Sequence, residues 1–146
     1  MTAKKIQPIS TLPELRPYPR FNKILLIDDN KTDLFINETI IKSLLLSKEI
    51  VQEPNAKNAL ALLRNVTKLT DAPDLIFLDL NMPGMDGFEF LAEFNQLSEF
   101  VKSKCKIVIV TSSASKEDKH RALMNKNVVR YIIKPLDAYH LREFIG

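Results

Sequence analysis

The chain has 146 residues, 45% of them hydrophobic and 27% charged, a length and composition that suit one globular domain able to bury a sizeable core. No apolar run is long enough to span a bilayer, so a membrane-spanning role is excluded at this level. The formal charge of +3 is local: residues 1–20 hold Lys4, Lys5, Arg16 and Arg20 against Glu14, leaving 17 of the 21 basic and 17 of the 18 acidic side chains in a neutral remainder. No basic groove for nucleic acid is expected there.

Residues 1–22 carry Pro8, Pro13, Pro17 and Pro19, half of the eight prolines, and no sustained periodicity. They read as a flexible or loosely docked tail, with Tyr18 and Phe21 either anchoring its end or marking where the fold begins. The prolines interrupt any signal-peptide core, so a cytoplasmic location is the default expectation.

From Lys23 short apolar runs alternate with helical patterns. The first strand covers residues 23–27. Asn30 is placed to cap a helix running through Leu46, with Asp33 favouring its first turn and Leu34, Ile41, Leu44 and Leu45 at helical spacing. A more polar second strand over 49–53 suits a sheet edge. Asn55 caps a helix carrying Ala59, Leu60, Leu62, Leu63 and Val66. A third strand spans 74–79, and helical spacing returns over 87–100 at Phe88, Leu91, Phe94 and Leu97. A fourth strand spans 105–110. It opens on Cys105, the single cysteine, which reads as a small core residue in a reducing compartment. Ser115 caps a helix with Ala122 and Leu123 on its apolar face. A fifth strand spans 128–133, and Asp137 caps a last helix with Leu141, Phe144 and Ile145. Five strands alternating with helices predict an α/β fold, a doubly wound five-stranded parallel sheet with helices on both faces.

Four apolar runs end in chemistry. Ile24–Ile27 runs into Asp28-Asp29, Leu75–Leu78 into Asp79, Ile107–Val110 into Thr111-Ser112, and Tyr131–Ile133 into Lys134-Pro135. In an open α/β sheet, strand carboxyl ends are where ligands sit. The run Asp79-Leu80-Asn81-Met82-Pro83-Gly84-Met85-Asp86-Gly87 follows its strand at once, and Asp86 reads as a turn or cap residue. On these motifs the stretch 23–146 resembles the receiver domain of two-component response regulators, in particular stand-alone chemotaxis regulators. The resemblance implies flavodoxin-like strand order 2-1-3-4-5. It also implies a phosphorylation switch that takes a phosphoryl group from a histidine kinase or a histidine phosphotransfer protein onto Asp79.

The residue chemistry agrees. A dianionic phosphoryl group meeting a carboxylate nucleophile needs a cation. Mg²⁺ prefers oxygen ligands, with Asp29 and Asp79 as direct carboxylates and the backbone carbonyl of Asn81 turned toward the ion. The resemblance adds Asp28, acting through bound water. Asp79 as nucleophile forms an acyl phosphate. Lys134 suits a phosphoryl oxygen, and Thr111 offers a hydroxyl donor. The resemblance further implies a cis Lys134-Pro135 bond, a switch role for Tyr131 as the aromatic that fills space behind Thr111, and output through the face of the Ser115 helix, the fifth strand and the last helix. Ser112, Ser113 and Asn81 border the site and tune acyl-phosphate lifetime, while His120 and His140 read as surface side chains.

The chain is expected to catalyse its own phosphorylation and dephosphorylation without turning over an independent substrate, and to hand its signal to a downstream protein that the residues do not identify. The alternatives are a phosphorelay intermediate, a receiver fragment of a larger hybrid kinase, and an interaction module that no longer accepts phosphate. A haloacid-dehalogenase-type phosphatase is disfavoured, because its pattern wants a second Asp where Asn81 stands.

Overall fold

A computed structural model describes residues 19–144. Five strands form one parallel sheet: β1 (Phe21–Ile27), β2 (Ser47–Glu53), β3 (Leu75–Leu78), β4 (Lys106–Thr111) and β5 (Val128–Ile133), in the spatial order β2-β1-β3-β4-β5. The connecting helices are α1 (Lys31–Ser43), α2 (Ala56–Arg64), α3 (Gly87–Phe94), α4 (Glu99–Lys102) and α5 (Lys116–Leu123). The doubly wound fold and its strand order are as expected.

The central strands are buried on both faces, so their sequences are continuous apolar runs and alternate residues feed two cores. Ile24, Leu26, Leu75, Phe77, Val108 and Val110 pack with Leu34 and Ile41 of α1 and with Leu141. Leu25, Ile27, Ile76, Leu78, Ile107 and Ile109 pack with Leu60 and Leu63 of α2, with Phe90 and Phe94 of α3 and with Val101 of α4. Cys105 lies in this second core, and burial pushes its thiol up to about 12, against the small lowering effect of nearby Lys104. It is a packing residue.

The helix starts fall on side-chain caps. Asn30, Asn55 and Ser115 accept the N–H of Asp33 (3.0 Å), Asn58 (3.0 Å) and Asp118 (3.2 Å). Asp86 and Glu89 form a reciprocal capping box at 2.8 and 3.0 Å, the cap role read for Asp86.

Several ends differ from expectation. β1 begins at Phe21, whose ring meets Phe144 edge-on, so Phe21 belongs to the fold; Tyr18 and the preceding residues lie outside the described range. α1 stops at Ser43, three residues short of Leu46. Leu46 N–H donates to Ile41 C=O and Leu45 N–H to Lys42 C=O, a Schellman turn that puts Leu45 at φ 54° and leaves it 62% exposed instead of on the apolar face. Leu62 is likewise exposed on α2. The helix expected over 87–100 ends at Phe94, because Ser98 caps a separate turn, α4, at Val101 N–H (3.4 Å).

The last expected α-helix is instead a 3-10 helix over Ala138–Phe144. Its side-chain partners are spaced by three, the eclipsed spacing of that helix. Asp137 and His140 exchange hydrogen bonds of 3.0 and 3.2 Å, and Arg142 lies 3.6 Å over the Tyr139 ring. Ile145 lies outside the described residues. Among those residues no helix is long and apolar enough to cross a membrane.

Candidate functional site

β1 and β3 are neighbours in the sheet, and the helices that follow them cover opposite faces. The crevice beyond their carboxyl ends is the topological switch point of the fold. Backbone ladders extend past the ends of β3 and β5 into it. Asp79 N–H donates to Ile27 C=O at 3.0 Å, which holds Asp79 beside Asp28, and Lys134 N–H donates to Thr111 C=O at 2.8 Å. These main-chain bonds position the chemistry before any side chain is considered.

Asp28, Asp29 and Asp79 bring carboxylate oxygens within 4.8 Å of one another, with Asp28 and Asp79 buried and Asp29 exposed. The Lys134 ammonium reaches into this group. Its Nζ donates to Asp28 Oδ2 at 2.8 Å and to Asp79 Oδ2 at 3.4 Å. Asp28 Oδ1 accepts the Asn30 N–H at 2.9 Å, and Asp79 Oδ1 accepts the Asn81 N–H at 3.2 Å. Burial holds the Asp28 carboxyl above its ordinary range, despite the Lys134 and Asn30 donors. Burial acts against the charged Lys134 amine as well, yet its hydrogen bonds to Asp28 and Asp33 outweigh this and hold its pKa above the usual lysine value.

Thr111, fully buried at the end of β4, accepts the Ser113 N–H at 3.3 Å and the Asn81 side-chain amide at 3.4 Å. Tyr131 on β5 is half-buried against the core, and its hydroxyl donates to Ser113 C=O at 2.9 Å. A chain of contacts thus joins Tyr131 through Ser113 to Thr111. The Ser113 hydroxyl is committed to Asp118 at 2.7 Å. The Lys134-Pro135 bond is cis, as expected. Gly87 faces the site's backbone: a Cβ there would lie 2.6 Å from Asp79 C=O and from Leu80 Cα, so only glycine fits this close approach.

The structure gathers Asp28, Asp29, Asp79, Asn81, Thr111 and Lys134 at one rim, with Tyr131 behind them. It leaves His120 exposed on α5, and His140 pairs with Asp137 at 3.1 Å. Asp33 was missed. Read as a first-turn acid, it pairs with Lys134 Nζ at 2.7 Å, the shortest bond that amine makes. The signal was present: α-helical side chains lean toward the helix N-terminus, so an acid one turn into α1 reaches back over the end of β1.

The sequence profile of the response regulator receiver domain matches residues 24–146. The chain belongs to the response regulator receiver family. It is a receiver domain of two-component signalling, built for phosphorelay chemistry. It is 31% identical to a two-component response regulator of Cytophaga hutchinsonii of known structure, with a TM-score of 0.75, over 85% of this chain and 93% of that one. It is 30% identical to the sporulation initiation phosphotransferase F of Bacillus subtilis over 84% of this chain and 90% of the relative. It is 31% identical to the Helicobacter pylori sensor histidine kinase CheAY over 84% of this chain, a match that spans 14% of that kinase. Receiver domains bind Mg²⁺ at an acidic pocket and work with histidine kinases or phosphotransfer proteins, and this receiver carries such an acidic cluster.

Proposed function

We propose that this receiver accepts a phosphoryl group on Asp79 from a phosphohistidine and thereby changes its affinity for a partner protein. The observation that carries the reading is the charge imbalance at the switch point: the carboxylates of Asp28, Asp29 and Asp79 converge there, with Lys134 as the amine between them. Such crowding is costly unless a further cation joins it.

The donor set fits Mg²⁺, all oxygen and rich in carboxylate. Asp29 and Asp79 would hold the ion directly, together with the backbone carbonyl of Asn81. The family resemblance gives Asp28 an indirect role through water; its oxygens accept at 2.9 and 2.8 Å, against 3.2 and 3.4 Å for those of Asp79, so they are the more firmly engaged. When bound, the ion would offset the repulsion between the nucleophile and the incoming phosphoryl oxygens.

An Asp79 carboxylate oxygen attacks phosphorus. The new P–O bond forms as the bond from phosphorus to the donor's imidazole nitrogen breaks, and that nitrogen keeps the electron pair. Lys134 then pairs with a phosphoryl oxygen, and the Thr111 hydroxyl donates to another. Movement of Thr111 reaches Tyr131 through the Ser113 contacts, which makes Tyr131 the switch residue. The receiver resets by its own hydrolysis and turns over no independent substrate.

The test is intact mass after incubation with acetyl phosphate, with and without Mg²⁺, for wild type and Asp79→Asn. One phosphoryl adduct that requires both Mg²⁺ and Asp79 is expected. An adduct of equal yield on the variant overturns the nucleophile assignment. Steady phosphate release over many turnovers points instead to a phosphatase.

A further inference from the structure

The acceptors around the Lys134 ammonium are unequal. Asp33 Oδ2 lies 2.7 Å away, Asp28 Oδ2 2.8 Å and Asp79 Oδ2 3.4 Å. The two short bonds both come from the β1–α1 side, so the amine leans away from the nucleophile. In the reaction proposed above it is needed on the other side, against a phosphoryl oxygen carried by Asp79.

Asp33 stands apart from the three carboxylates that converge on one point. Among the described residues its ion-pair partner is Lys134. Its position is set by the helix start. The Asn30 cap accepts the Asp33 N–H at 3.0 Å, and an acid in the first turn of α1 is favoured by the helix dipole. The carboxylate is also the more exposed of the two close acceptors, 30% against 4% for the Asp28 side chain. Its bond to the amine is therefore the cheaper one to break, since water can solvate what is released.

We propose that Asp33 is a positioning residue that holds Lys134 Nζ on the α1 side in the unphosphorylated receiver and competes with the phosphoryl group for that amine. A ligand shifts a two-state equilibrium only by its differential interaction with the two states. The Asp33 contact exists in the resting state and is given up when Lys134 turns to the phosphoryl group, so it biases the switch toward rest. It acts on the equilibrium through Lys134 and touches no reacting atom.

This inference rests on the receiver reading, and the experiment separates the two. Beryllofluoride, a stable mimic of the phosphoryl group, is titrated by calorimetry into the full chain at saturating Mg²⁺. The proteins are wild type, Asp33→Ala, Asp33→Asn, Lys134→Ala and the Asp33→Ala/Lys134→Ala pair. Asp33→Ala should bind about fivefold tighter than wild type, the scale of one partly exposed ion pair no longer lost. Asp33→Asn keeps an oxygen acceptor without the charge and should gain less. In the Lys134→Ala background the Asp33→Ala gain should vanish.

An unchanged or weaker affinity for Asp33→Ala overturns the proposal. So does an equal gain without Lys134, which marks mere relief of negative charge. The ammonium resonance of Lys134, read by ¹⁵N NMR, decides the matter even if Lys134→Ala binds too weakly to complete the cycle. It should move in resting Asp33→Ala and coincide with wild type once beryllofluoride is bound; a resting signal that does not move also overturns the proposal. Wild type that takes up no beryllofluoride defeats the receiver reading itself, and this inference with it.

Discussion

Asp74 and Asp79 flank the four residues of β3, and each accepts hydrogen bonds from backbone and faces a lysine. At the Asp74 end the charges close. Its Oδ2 accepts the N–H groups of Asn22 (2.8 Å) and Lys23 (3.3 Å), and Lys104 Nζ stands 3.4 Å from Oδ1. The amines of Lys23 and Lys104 cap the carbonyls of Asp71 and Leu69 at 2.9 and 2.8 Å. Asp74 thus has Lys104 to itself, the Lys23 amine lying 3.9 Å from Glu49, and it ties β1 to the start of β3. At the Asp79 end, Asp28, Asp33 and Asp79 all draw on Lys134, and Asp29 stands beside them. The same residue type is a structural staple where charge is balanced and the proposed nucleophile where it is not. An unbalanced acidic rim stores a demand for a cation, which a balanced one lacks.

Five substitutions sharpen or break this contrast. Asp79→Asn should abolish the phosphoryl adduct entirely without lowering the melting temperature, because it relieves crowding among like charges; a large loss of stability would show that Asp79 is a staple as well. Lys134→Ala leaves Asp28 and Asp79 buried without their amine. It should lower stability by about 2 kcal/mol, discounted for partial exposure, with much of the loss recovered on adding Mg²⁺. A wild-type urea midpoint would mean that the amine is dispensable for folding; its phosphate response should be weakened in any case. Gly87→Ala drives a methyl into the Asp79 carbonyl and should cost about 2 kcal/mol and slow phosphorylation as well, measured by urea melts and intact mass.

The opposite rim should answer only in stability. Asp74→Ala orphans the Asn22 and Lys23 N–H groups and should cost about 1–2 kcal/mol while the adduct yield stays at the wild-type level. A changed yield would break the contrast outright. Lys104→Met should cost about 0.5 kcal/mol, and less in high salt, as for an ordinary surface pair; a loss as large as that for Lys134→Ala would show that the two rims are electrostatically alike.

Much of the site was legible because its members end apolar runs. Asp28 and Asp79 each follow, and Thr111 ends, a strand whose burial on both faces forces a continuous apolar stretch, while Lys134 follows the partly exposed edge strand β5. The first polar residue after each apolar run is thereby marked. Asp33 carried no such mark: as a polar residue inside a helix start it read as a dipole partner, and its contact with Lys134 spans 101 positions of sequence. Tyr131 was placed by resemblance, while its hydrogen bond to Ser113 depends on how β5 lies against the loop after β4. Leu45 looked like the next member of an apolar helix face, yet the Schellman turn carried it out to solvent.

Local pattern alone determined the alternation of strands and helices, the caps at Asn30, Asn55 and Ser115, and which residues stand at the strand ends. These follow from neighbours within a turn or a strand, where periodicity and side-chain chemistry act directly. The strand order that places β1 beside β3 came only with the family resemblance and the assembled sheet. Tertiary structure decided the close approach at Gly87, the 3-10 form of the final segment and the sharing of one lysine among Asp28, Asp33 and Asp79. Those depend on packing and charge between segments far apart in the chain, which no local window of residues contains.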